Sequence, residues 1–180
     1  MNTQSSPTAR RLKVPTMSAA EQAADVWGFN CGPGALCAVT ERTPDEIRPY
    51  LGDFERRGYM NPTMMRATLR QLGIRWREAL VDQLPSFGLV RVQFDGPWMR
   101  PGVPIVARYQ HTHWVAARAV PGPFHLVFDI NAIHLGGWMP ETEWREELIP
   151  WLLSASVRLK RATGIHSYTH CWELPLPEGL

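Results

Sequence analysis

This 180-residue chain holds only two lysines, Lys13 and Lys160, and three cysteines, Cys31, Cys37 and Cys171. Three cysteines make an odd count without framework spacing. That excludes a disulfide scaffold and predicts reduced thiols in a reducing compartment. The basic residues are therefore almost all arginine, and 19 basic against 17 acidic residues leave a net charge of +2. Such a balance gives no bulk field to recruit nucleic acid or a membrane surface, so neither is expected as a partner. No apolar run approaches the length of a membrane span. The opening MNTQSSPTARRLKVPTM lacks the continuous apolar stretch of a secretory signal, and the expected location is cytoplasmic. Internal repeats and low-complexity tracts are also missing.

What is present suits one well-packed domain: 44% of the residues are hydrophobic and eight are tryptophan. Residues 1–17 are polar and Pro- and Ser-bearing, which predicts a flexible N-terminal segment ahead of a single domain over 18–180. The front half reads as helical. Ser18 and Glu21 have capping-box spacing, and Thr43, Pro44 and Glu46 repeat that pattern. Asn61 and Pro62 open another helix that Gly73 stops. The back half changes period. IRWREALV, GLVRVQF, VPIVARYQ, HWVAARAV and HLVFDINAI read as short strands between Pro/Gly turns. PETEWREELIPWLL reads as a late helix and YTHCWELPL as a last strand. Helices first and an antiparallel sheet second predict an α+β fold, a helical layer packed on a C-terminal sheet.

The segment WGFNCGPGALCAVT, residues 27–40, places a cysteine and then Gly-Pro-Gly at the start of an apolar helical run. With Asn30 as N-cap, Cys31, Gly32 and Pro33 fill the first turn, where Pro33 forfeits no helical hydrogen bond. Gly32 and Gly34 let other backbone or a substrate approach closely. A thiol at the positive end of a buried helix is biased toward thiolate. The plain alternative is a core cysteine of no chemical consequence.

Partners for the thiol lie downstream. In YQHTHWVAAR, His111 and His113 share a strand face about 6–7 Å apart, and in VFDINA, Asp129 and Asn131 share another. Antiparallel neighbours joined by the PGPF turn bring a carboxylate beside an imidazole. In a Cys–His–Asp set the imidazole takes the thiol proton, and the carboxylate fixes its tautomer.

NCGPGAL opening a buried helix, HWV on a strand, and FD with its aspartate sixteen residues after that histidine resemble the papain-like cysteine peptidases. The closest branch is that of the double-glycine leader peptidases of bacteriocin exporters, and the likeness spans about residues 25–131. It implies a papain-like fold, with Cys31 as nucleophile, His113 as general base and acid, and Asp129 orienting His113. It also implies a peptide or protein substrate and no cofactor or metal. The compact unit is similar to stand-alone phage or bacterial domains. The family carries a glutamine six residues before the cysteine, whose amide helps form the oxyanion hole, whereas this chain has Asp25 there. A carboxylate cannot inherit that role while ionised. Asn30 and Asn131 are then the candidate auxiliary amides, and Trp27, Trp114 and Trp138 the candidate groove residues.

The expected function is a cysteine-dependent hydrolase that cleaves a peptide or isopeptide amide through an acyl-enzyme on Cys31. Deamidation and transglutaminase-type acyl transfer use the same apparatus. A catalytically impaired module that binds a peptide in the groove is kept open by Asp25. The His111-x-His113 pair with Asp129 or His170 allows a zinc site, although no four-ligand spacing is present.

Overall fold

The computed structural model describes residues 31–80, 82–109 and 111–176. The segment 1–17 expected to be flexible, the expected Ser18–Glu21 box, Trp27, Asp25 and the expected Asn30 cap lie outside the described residues.

The described chain forms an α+β fold. Its helical part comprises α1 (Cys31–Thr40), α2 (Pro44–Ile47), α3 (Phe54–Arg57) and α4 (Pro62–Gln71). The predicted capping box is present: the Thr43 hydroxyl accepts from the Glu46 amide, and Glu46 accepts from the Thr43 amide at 2.7 Å. Asn61 caps α4 by accepting from the Met64 amide at 2.9 Å. Gly73, at φ +72°, turns the chain out of that helix. Only glycine adopts this left-handed conformation without a steric penalty.

Six antiparallel strands follow: β1 (Arg77–Glu78), β2 (Phe87–Phe94), β3 (Thr112–Val120), β4 (Phe124–Phe128), β5 (Trp138–Pro140) and β6 (His166–Glu173). They form one sheet in the order β1-β6-β2-β3-β4-β5. Every residue of β2 is buried, as befits a strand covered on both faces. Side-chain alternation then builds two cores. Leu89, Trp114, Ala116, Phe128 and Trp172 face α1 and pack with Leu36, Ile47 and Leu69. Val90, Val92, Val115, Val127 and Cys171 face the other way and pack with Trp144 and Ile149. The second core belongs to the late helical run, which continues from α6 (Glu141–Glu143) through a π-helical turn, Trp144–Leu148, into α7 (Ile149–Ala155). The sheet is thus covered on both faces and not only by the N-terminal helices.

Three expected strands differ. VPIVARYQ holds a helical turn, α5 (Ile105–Arg108), with Ile105 and Val106 exposed. It connects β2 to β3, which pair directly with each other, so a strand here has no place in the sheet. Pro104 at its N-cap also removes a ladder donor. IRWREALV contributes only the two-residue edge strand β1, paired with β6. HLVFDINAI leaves the sheet after Phe128, because Asp129 caps a 3₁₀ segment, Ile130–Leu135, by accepting from the Asn131 amide.

Candidate functional site

The early end of β4 shapes the site. The Ala119 amide of β3 donates to Ser86 at the N-terminal end of β2. Odd-numbered amides of β3 therefore point toward β2 and even-numbered ones toward β4. The last pair between β3 and β4 is Ala116 with Phe128, so the Trp114 amide projects past the end of β4. That amide lies close enough to the Cys31 sulfur to help lower the pKa of its thiol. Strand termination thus creates the place where the thiol sits.

α1 delivers the thiol to this edge. Cys31 is its first residue and is partly buried, while Gly32 through Val39 are all buried. The two glycines permit close packing, but by neighbouring side chains. A Cβ on Gly32 would lie 2.8 Å from Met60 Cβ, and one on Gly34 would lie 3.0 Å from Ile130 Cβ. Ile130 follows Asp129 directly, so the Gly34 contact seats the helix against the turn that carries the carboxylate. Trp114 Nε1 donates to the Met60 carbonyl at 2.7 Å and holds the same layer in register.

His113 lies on β3 and Asp129 at the end of β4. His113 Nε2 and Asp129 Oδ2 are 2.8 Å apart, and Asp129 is fully buried. The other ring nitrogen, Nδ1, is free of Asp129, and the imidazole lies close enough to Cys31 for each group to favour the charged form of the other. Asp129 accepts three further bonds. Trp144 Nε1 donates to Oδ2 at 3.0 Å, while the Asn131 amide and Nδ2 donate to Oδ1 at 3.0 and 2.8 Å. Three N–H donors besides His113 point at this carboxyl, an arrangement that favours the ionised form.

The electrostatics agree. Burial is the largest influence on the Cys31 thiol and pushes its pKa up. The hydrogen bond and charge of His113, with the Trp114 amide, outweigh it, so the thiol ionises below its ordinary value. Burial likewise pushes His113 down, but the Asp129 charge and hydrogen bond, with Cys31, raise it well above 6.5. Asp129 is held below the usual carboxylate value despite its burial, chiefly by His113 and then by Trp144. A thiolate, an imidazolium and a carboxylate thus stabilise one another in sequence. The other thiols are inert by comparison. Burial pushes Cys37 to about 12 and Cys171 to about 11.

The remaining expected site residues distribute differently. Asn131 does not share a strand face with Asp129. It lies in the 3₁₀ segment, where its backbone amide and Nδ2 each donate to Asp129 and so support the carboxylate. Trp114 is core, 2% exposed and 5.3 Å from the Trp172 ring, and does not line a groove. Trp138 is partly buried and meets Phe128 edge-on at 5.6 Å. His111 precedes β3 and stacks on Trp98 at 3.6 Å. No group of three His, Cys, Asp or Glu side chains able to hold a metal occurs among the described residues. None of their helices is long and apolar enough to cross a membrane.

Two residues of the site were not foreseen. Trp144 sits in WREEL, where the sequence shows only an amphipathic helix and nothing ties the indole to a distant aspartate. Arg91, whose charge and that of Cys31 act on each other, did leave a signal: it is the lone charge in FGLVRVQF, a strand buried along its length. Compared with known proteins, the chain matches no family model, no curated protein and no solved structure at a significant level.

Proposed function

We propose that this chain is a papain-like cysteine hydrolase acting on a peptide or isopeptide amide. The observation that carries the reading is the His113–Asp129 pair, its carboxylate saturated by Trp144 and Asn131, set beside the Cys31 thiol whose ionisation it favours. A cysteine-bearing helix packed on a sheet whose central strand supplies the histidine supports the papain-like layout.

In the proposed reaction the Cys31 thiolate attacks the carbonyl carbon and forms a C–S bond, and the carbonyl oxygen takes the negative charge. First-turn amides of α1 have no intrahelical partner and can receive that oxyanion. The tetrahedral intermediate collapses as the His113 imidazolium protonates the departing nitrogen, which leaves a thioester and a neutral imidazole. That imidazole then takes a proton from water, hydroxide adds to the thioester, and the acid product leaves as the thiolate and imidazolium re-form. Asp129 fixes the tautomer that places Nδ1 at the sulfur and stabilises the imidazolium.

The test is a peptide library incubated with the wild-type chain and with Cys31→Ala, read by mass spectrometry, alongside an electrophilic peptide vinyl sulfone. Cleavage by the wild type alone, undiminished by a strong chelator, and labelling of Cys31 are expected. No cleavage, together with vinyl sulfone labelling no faster than in the denatured chain, would overturn the proposal.

A further inference from the structure

Four buried side-chain atoms among the described residues lack a hydrogen-bond partner, and three of them belong to Arg91, Gln93 and His170: Nε, Oε1 and Nδ1 respectively. Buried polar groups are nearly always satisfied in folded proteins, so three orphans together call for an occupant. They share one sheet face. Arg91 and Gln93 continue the alternation of Phe87 and Leu89, and His170 that of Trp172, on the side that faces α1. Arg91 is the cross-strand partner of both His170 on β6 and Trp114 on β3, the residue whose amide acts on the Cys31 thiol.

Arg91 is 6% exposed, yet among the described residues no carboxylate is hydrogen-bonded or ion-paired to it. Its Nη1 donates to Thr169 Oγ1 at 3.4 Å, and its Nη2 to the Tyr109 carbonyl at 3.2 Å and Thr112 Oγ1 at 3.1 Å. A buried guanidinium with only neutral acceptors is costly unless an anion arrives. Burial lowers its pKa, and the opposing influences come from Cys31 and Tyr109. Glu78 is the carboxylate that acts on His170, and it is already engaged by Arg66 Nη2 at 3.1 Å and Trp172 Nε1 at 3.0 Å. His170 itself is only partly buried, and Tyr109, whose carbonyl meets Arg91, is 43% exposed, so the protein surface lies close to the guanidinium.

We infer that Arg91 and His170 form a carboxylate-binding subsite one strand away from Cys31, so that the substrate of the proposed hydrolase is a peptide with an acid group close to the bond attacked. The two oxygens take Arg91 Nε–H and His170 Nδ1–H, and Gln93 Oε1 accepts an adjacent amide N–H. The inference rests on the hydrolase reading, and its test is a charge preference that needs no turnover.

Rates of Cys31 alkylation by anionic iodoacetate and neutral iodoacetamide are measured on the native chain, the denatured chain and Arg91→Gln. The iodoacetate-to-iodoacetamide ratio is expected to be higher in the native than in the denatured chain. It should fall about fivefold or more in Arg91→Gln, the order expected for removing a unit charge from a partly buried site. In the wild type, three peptide analogues then compete with iodoacetamide. N-acetylglutamate amide offers only a side-chain carboxylate, N-acetylglutamine only a terminal one, and N-acetylglutamine amide neither. Slowing by one of the acids but not by the neutral amide supports the subsite and identifies the source of the carboxylate. Equal effects of all three, or an unchanged ratio in folded Arg91→Gln, would overturn it and indicate a water-filled pocket. Should Arg91→Gln fail to fold, the competition on the wild type decides alone. A Cys31 that reacts with iodoacetamide no faster than in the denatured chain would instead count against the hydrolase reading.

Discussion

Asp129→Asn is the perturbation whose consequences the structure specifies most fully. The carboxylate accepts from His113 Nε2, Trp144 Nε1, the Asn131 amide and Asn131 Nδ2. An asparagine must point its own NH2 at one of these pairs of donors. Facing Asn131, it breaks both bonds of the turn. Facing His113 and Trp144, it orphans the indole and forces the imidazole to place its proton on Nδ1, the nitrogen needed by the thiol. Each buried donor left unsatisfied costs about 1–3 kcal/mol, so a loss of about 3 kcal/mol or more of stability is expected. The imidazolium also loses a charge-assisted partner worth about 1.5–3 kcal/mol, which at 1.36 kcal/mol per unit corresponds to about 1–2 units on its pKa. The thiolate is sustained first by His113, so its pKa must rise; removing the Asp129 charge, the last of its influences, opposes this weakly. A net upward shift of about one unit is expected, so the pH midpoint of iodoacetamide alkylation of Cys31 moves up by about one unit. The assay is the pH profile of alkylation between 5 and 9, with near-ultraviolet circular dichroism as the check on folding. A superimposable profile in a folded variant, or a downward shift, would refute the reasoning.

Trp144→Phe removes one donor to Asp129 and should move the Cys31 alkylation profile upward by less than Asp129→Asn does, with a loss of about 1.5–3 kcal/mol in urea unfolding. Gly88→Ala drives a Cβ to 1.8 Å from the Trp172 carbonyl oxygen and should separate β2 from β6, seen as a fall of several kcal/mol in urea unfolding. Thr43→Ala breaks the capping box and should cost about 1 kcal/mol without changing Cys31 reactivity. The depressed Asp129 carboxyl contributes stability that is present above its unfolded value of about 3.9 and is lost as pH falls through the folded value. The urea midpoints of wild type and Asp129→Asn should therefore converge as pH drops below about 4. His113 acts in the opposite sense: its contribution is full below about 6.5 and fades as pH rises through the raised folded value.

Local signals carried the parts of the fold that depend on local chemistry. Thr43, Pro44 and Glu46 announce a helix start because the cap bonds lie within one turn, and the alternation in GLVRVQF and HWVAARAV reflects burial on a pleated surface. VPIVARYQ misleads because β-branched residues are also tolerated in an exposed turn, and the pairing of β2 with β3 leaves that segment no strand partner. Cys31, His113 and Asp129 were readable from residue type and spacing. Their support was not. Trp144 reaches Asp129 only because the late helix covers the second sheet face, and no spacing in the sequence encodes that contact. Asn131 was placed on a strand because alternation assumes that a strand continues, whereas the Asp129 cap ends it.

The central claim is that Cys31 is an activated thiolate. Brief iodoacetamide labelling of the native chain near pH 6.5, followed by peptide mapping, tests it at all three cysteines in one experiment. Cys31 is lowered by His113, whereas burial holds Cys37 near 12 and Cys171 near 11. Carbamidomethylation of Cys31 with the other two unmodified is expected, with loss of that selectivity in His113→Ala. Labelling of Cys37 or Cys171 as fast as Cys31, or a Cys31 rate unaffected by His113→Ala, would contradict it.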